Sequence, residues 1–108
     1  MLAVAGVASA ASAQRNATTT VTITSNGFTP QDVRIQLGDT VTWKNADSKA
    51  HSVVSDTGLF RSPSLSTNQT YSRRFDVEAS YSYHDSANDS STGTVDVVGH
   101  NVTIALTR

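Results

Sequence analysis

Between positions 21 and 98 the apolar side chains fall at every second residue. Val21 and Ile23 alternate with threonines, Val33, Ile35 and Leu37 with Asp32, Arg34 and Gln36, and Val41 and Trp43 with Thr42 and Lys44. A period of two puts one face of each run into a core and the other into water, which is the pattern of a half-buried β-strand. No window carries the three-and-four spacing of an amphipathic helix, and the supply of Val, Thr and Ser suits a pleated surface better than a helix. Turn signals separate the runs at Asn26-Gly27, Gly38-Asp39, Asn45-Ala46-Asp47, Asp56-Thr57-Gly58 and Ser62-Pro63. Further strands are predicted at His51 to Ser55, Thr70 to Phe75, Ser80 to His84 and Thr94 to Val98. Short strands at this spacing predict an all-β sandwich or barrel, with Phe28, Val33, Ile35, Trp43, Phe75 and Tyr83 in its core. Arg73 shares the parity of Tyr71 and Phe75, so its guanidinium turns inward unless the strand bulges or Arg73 sits at the rim.

The two ends depart from this pattern. Met1 to Ala13 is small and apolar and closes on Ala11-Ser12-Ala13, the small-x-small signature of signal-peptide cleavage, which predicts export with a cut before Gln14. No basic residue precedes the apolar run, so its start reads as misplaced or trimmed. A membrane span needs about 20 apolar residues, and this run is shorter and built on Ala and Ser. Residues 14–20 read as a flexible N-terminus, 21–98 as the single domain, and 99–108 as a C-terminal extension. In that extension Val102, Ile104 and Leu106 alternate as an extra edge strand would. A chain of 108 residues suits one modest core.

Charge and composition narrow the function. A net charge of -1, with scattered charges, supplies no field for nucleic acid or anionic lipid, so the expected partner is a protein or a small ligand. With Cys 0, disulfides, zinc–thiolate sites, iron–sulfur clusters and thiol nucleophiles are excluded together. No Ser-His-Asp order, glycine-rich phosphate loop or His-Glu-x-x-His helix is visible, and Glu78 is the sole glutamate, so no enzyme is expected. Asn-x-Ser/Thr sequons occur at Asn16, Asn68, Asn88 and Asn101 and matter in a host that glycosylates.

In chain order, Phe28-Thr29-Pro30, Gly38-Asp39-Thr40-Val41-Thr42-Trp43-Lys44-Asn45, His51-Ser52-Val53, Gly58-Leu59-Phe60 and Tyr81-Ser82-Tyr83 with Gly93-Thr94-Val95 resemble the landmarks of the cupredoxins. The likeness is to the plastocyanin and amicyanin type and covers about Val21 to Val98. It implies a Greek-key β-sandwich with its ligand loops at one end. It also implies that Tyr81, just after Asp76-Val77-Glu78-Ala79, pins that corner through its hydroxyl.

The same resemblance implies where a copper site would lie. The family holds copper with a histidine matching His51, then a cysteine, a histidine and a methionine on the loop between the last two strands. Counting back from Gly93 on the short-loop pattern puts those three positions at Asp85, Asn88 and Ser91, so only His51 keeps the family residue type. A blue-copper centre depends on a trigonal His₂Cys set and its covalent copper–thiolate bond, which Asp85 cannot provide. His51 reads either as a remnant of the site or as a solvated loop histidine; His84 and His100 read as surface residues. Asp85, Asn88, Asp89 and Ser91 form an oxygen-rich stretch that reads either as a polar turn or as a loop able to hold a hard cation, although the order of an EF-hand is absent.

The expectation is therefore an exported cupredoxin-like binding module, periplasmic, cell-surface or secreted, that lacks a resident cofactor. One alternative is a weak copper or zinc site built from His51, Asp85 and Asn88 through nitrogen and oxygen donors, in an electron-transfer or copper-handling protein. Another is a purely structural extracellular domain.

Overall fold

The computed structural model describes residues 17–99. The expected signal segment, residues 100–108 with His100, and the sequons at Asn16 and Asn101 lie outside the described residues. Every regular element described is a strand: β1 (Thr18–Thr24), β2 (Gly27–Thr29), β3 (Asp32–Gln36), β4 (Thr40–Asn45), β5 (Val53–Ser55), β6 (Thr70–Arg74), β7 (Ala79–Asp85) and β8 (Asn88–Val98). They form two four-stranded sheets, one ordered β2-β1-β4-β6 and the other β3-β8-β7-β5. Two pairings are parallel, β1 with β4 and β3 with β8; the others are antiparallel.

The period-two runs became strands as their pattern requires, and their inward residues meet between the sheets. Val21 and Ile23 of β1, Val33 and Ile35 of β3, Val41 and Trp43 of β4 and Val95 and Val97 of β8 form one buried cluster with Phe28, Phe60, Phe75 and Tyr83. Trp43 is its centre. Its ring lies 5.4 Å from Tyr83 at 84° and 5.9 Å from Phe60, and Tyr83 in turn meets Phe28 at 4.8 Å and 80°. Edge-to-face contacts of this kind set the positive ring edge against the negative face of its neighbour.

Several boundaries differ from the sequence reading, each for a local reason. β1 begins at Thr18, inside the stretch read as flexible, with Thr18 opposite Thr40 on β4. The buried Asp39 carboxylate draws it in: Asp39 Oδ1 accepts the Ala17 N–H at 3.2 Å and Oδ2 accepts the Gln36 N–H at 3.1 Å. Threonines alone gave no apolar alternation there. Asp85, Asn88, Asp89 and Ser91 lie on a polar hairpin turn and the irregular start of β8. Asp85 pairs with Asn88 around a turn at Ser86-Ala87, and the ladder then slips so that His84 faces Thr92, leaving Asp89, Ser90 and Ser91 as a bulge. His51 precedes β5 and makes an isolated bridge with Leu65.

Arg73 turns inward with its strand in register, opposite Val41, and no bulge diverts it. Its guanidinium sits 5.1 Å from the Phe60 ring centre and 5.5 Å from that of Phe75, so the aromatic faces compensate the charge at the rim. Tyr81 donates its hydroxyl to the Val77 carbonyl at 2.6 Å, closing the corner between β6 and β7.

Tyr83 fits because its cross-strand partner on β8, Gly93, has no side chain. A Cβ at position 93 would run into the Tyr83 phenol and come within 2.8 Å of the Gln31 carbonyl. Burial pushes the Tyr83 hydroxyl up to about 12, against a smaller opposite pull from the Trp43 indole N–H; neither group makes a hydrogen bond of good geometry. Gly93→Ala is expected to destabilise the domain by about 1–3 kcal/mol, the usual range for overpacking, in urea unfolding. Tyr81→Phe is expected to cost about 1 kcal/mol, and an unchanged melting curve would remove the corner assignment.

Candidate functional site

Asn45, the last residue of β4, arranges the loop that leads to His51. Its side chain is buried. Nδ2 donates to the Lys49 and Leu65 carbonyls, each at 2.8 Å, while Oδ1 accepts the Asp47 N–H at 2.9 Å. This folds residues 46–50 back over the end of the sandwich. His51 is then fixed by backbone bonds with Leu65 in both directions, at 3.1 and 2.7 Å.

The His51 ring is held between two carboxylates. Nε2 lies 2.7 Å from Asp47 Oδ2, and Nδ1 makes a very short hydrogen bond to Asp85 Oδ2. Only 12% of the His51 side chain is exposed, and 1% of that of Asp85. A carboxylate accepts and does not donate, so His51 satisfies both neighbours at once as the imidazolium. Desolvation works against that charge, but the hydrogen bonds that His51 donates to Asp47 and then to Asp85 outweigh it and raise the His51 pKa. The His51 hydrogen bond in turn holds Asp47 below the usual carboxylate range, against the effect of burial.

Asp85 has further donors. Its Oδ1 accepts the Ser52 N–H at 3.2 Å and the Ala87 N–H at 2.9 Å, so one buried carboxylate ties the His51 segment, the start of β5 and the β7–β8 turn together. The hydroxyls of Ser52 and Ser86 add a short hydrogen bond alongside. Asn88 is exposed and its Oδ1 accepts both the N–H and the hydroxyl of Ser90. Asn88 and His51 line one open depression of about 260 Å³ with Ser25, Asp47, Lys49, Ala50 and Ala87. Ser91 is absent from that lining and stands next to Gly27 at the start of β2.

The structure thus brings His51 and Asp85 together, sets Asn88 beside them and places Ser91 apart. His51 is not a solvated loop residue. Asp47 and Asn45 had read as turn residues, because an aspartate four positions before a histidine has no fixed geometry outside a helix. His84 lies on the surface beside Asp56, at 2.7 Å.

The family model for the cupredoxin-like domain matches residues 1–97. The chain belongs to the cupredoxin family. This fold family is one of electron transfer, and its members normally bind copper. Amicyanin-alpha of Methylorubrum extorquens is 36% identical over 70 residues, which are 60% of this cupredoxin and 59% of the relative. The chain thus spans about three-fifths of that curated relative. A purple cupredoxin from Nitrosopumilus maritimus superposes with a TM-score of 0.69 at 30% identity, over 73% of this chain and 98% of the other. An amicyanin variant in the Cu(I) state gives 0.70 at 27% identity, over 74% and 81%.

The donor set of this cupredoxin does not fit a type 1 copper centre. Such a centre takes two imidazoles and a thiolate converging on one point. Here the ring nitrogens of the one histidine point in opposite directions, each into a carboxylate. Among the described residues no group of three or more His, Cys, Asp or Glu side chains is disposed to hold a metal ion.

The His51 pKa should lie above about 6.5 by NMR titration of its ring protons, and Asp47→Asn should lower it. Because the folded value is raised, this contact stabilises fully below about pH 6.5 and the gain is lost as pH rises through the folded value. Asp47 has the opposite sign: its share is present above about pH 4 and disappears as pH falls through its lowered value. A His51 titration unchanged in Asp47→Asn would show that the Asp47 contact does not persist in solution.

Proposed function

We propose that this chain is an exported binding module that keeps the cupredoxin sandwich and has given up the type 1 copper centre, and with it blue-copper electron transfer. One observation carries the reading. Both oxygens of Asp85, the residue that the resemblance sets against the family's cysteine, are committed, to His51, Ser52 and Ala87. A carboxylate there cannot supply the thiolate bond, and this one organises protein groups instead. The module acts by binding a protein or small ligand, without catalysis, and Ala11-Ser12-Ala13 supports its export.

A second reading has one observation in its favour. His51, Asp47 and Asn88 line the same depression, so divalent copper or zinc could displace the Asp47–His51 contact and bind through nitrogen and oxygen. Such a site would be weak and pale.

Purified protein mixed with cupric ion should show no intense visible band, since that absorption needs a thiolate. A strongly coloured wild type would overturn the proposal. The triple change Asp85→Cys, Asn88→His and Ser91→Met is expected to produce a coloured copper protein, and adding His51→Ala to abolish or greatly weaken the colour. Isothermal titration with cupric and zinc ions tests the second reading: weak binding at one equivalent, lost in His51→Ala, would favour it.

A further inference from the structure

Four of the six asparagines, Asn16, Asn68, Asn88 and Asn101, stand two residues before a serine or threonine, in a chain where those two types make 30 of 108 residues. Two of the four sequons lie among the described residues, and their geometry differs. The carboxamide oxygen of Asn88 is bonded to Ser90, and the residue lines the depression beside His51. Asn68 sits on an exposed turn closed by the Gln69 N–H donating to the Ser66 carbonyl at 3.0 Å. Its backbone N–H donates to the Asn45 carbonyl at 2.6 Å, which fixes the main chain, while its side chain makes no hydrogen bond to the described residues. Thr70, the hydroxyl residue of the same sequon, is exposed as the first residue of β6, an edge strand of its sheet.

We propose that Asn68 is the acceptor of an N-linked glycan. The positive φ of 72° at Asn68 suits an asparagine or glycine at this turn position, and the exposed Thr70 supplies the hydroxyl two residues later. Together the two make up the sequon. The donor is a lipid-linked oligosaccharide pyrophosphate presented to a membrane transferase. The Asn68 carboxamide nitrogen forms a bond to C1 of the first sugar, the bond from C1 to the pyrophosphate oxygen breaks, the amide proton leaves to a base of the transferase, and nothing is oxidised or reduced. A glycan here stands at the head of β6, an edge strand of its sheet among the described residues, and its bulk hinders edge-to-edge association with another chain.

This inference rests on the reading of the chain as exported, and one experiment separates the two. Protein isolated from its own cells is digested in parallel with chymotrypsin, for the N-terminal peptide up to Phe28, and with trypsin, for the peptide Ser62 to Arg73, and both peptides are examined by mass spectrometry. The expected result is a start at Gln14 and a sugar mass on Asn68 with sugar fragment ions. Thr70→Ala should lose that mass with Asn68 still present, Thr70→Ser should keep it, and Asn68→Gly should lose it with the melting temperature retained. A start at Gln14 with Asn68 bare, or with sugar on Asn88 alone, overturns the glycan assignment and leaves export standing. An uncut N-terminus with Asn68 bare overturns both.

Discussion

A buried carboxylate must be met on every side, and Asp85 imposes that constraint on one whole end of this sandwich. Removing a carboxylate from water costs several kcal/mol unless charge and donors replace the lost hydration. Here the replacement comes from three separate stretches of chain: the His51 ring, the Ser52 amide at the approach to β5, and the Ala87 amide in the β7–β8 turn. Each stretch is placed by its need to reach the same two oxygens. Asp47 extends the chain of contacts by one member, so the histidine carries a carboxylate on both sides. Hydrogen bonds and paired charges thus gather three stretches of chain at this end of the fold.

The sandwich and its loop end are held by different physics. The sandwich rests on apolar area and on the interlocking of Trp43, Tyr83, Phe28 and Gly93, which owe nothing to the loop residues. The loop end rests on directional contacts that answer to pH and to single-atom changes. Such a division lets the loop chemistry change while the scaffold persists, which is how one fold comes to host unrelated functions.

Alternation was legible because a strand shows its face in its own sequence. Val21, Ile23, Val33, Ile35, Val41 and Trp43 announced both element type and side. The landmark residues were legible because the family spaces them in order. The Thr18–Thr20 segment of β1 was hidden, since threonines alone give no apolar period and the capture by Asp39 comes from 22 residues away. The partnership of His51 with Asp47 and Asp85 was hidden for the same kind of reason: the Asp85 contact spans 34 residues, and the Asp47 contact depends on a loop folded by Asn45. Counting residues from Gly93 gave a spacing but not a conformation, because the same spacing is compatible with an open loop or with a hairpin that slips register.

The position of β8 has a temporal consequence. It is the last described strand, yet it lies inside its sheet, parallel to β3 and antiparallel to β7, with Thr94 bonded to Asp32 across 62 residues of chain. During synthesis β3 has no neighbour among the described strands of its sheet until β8 has emerged, and a nascent β7 has only the three-residue β5. Closing so long a loop is entropically costly before any contact rewards it. The domain is therefore built to assemble late and all at once, and a chain stopped short of β8 leaves an open sheet, not a smaller version of the same protein.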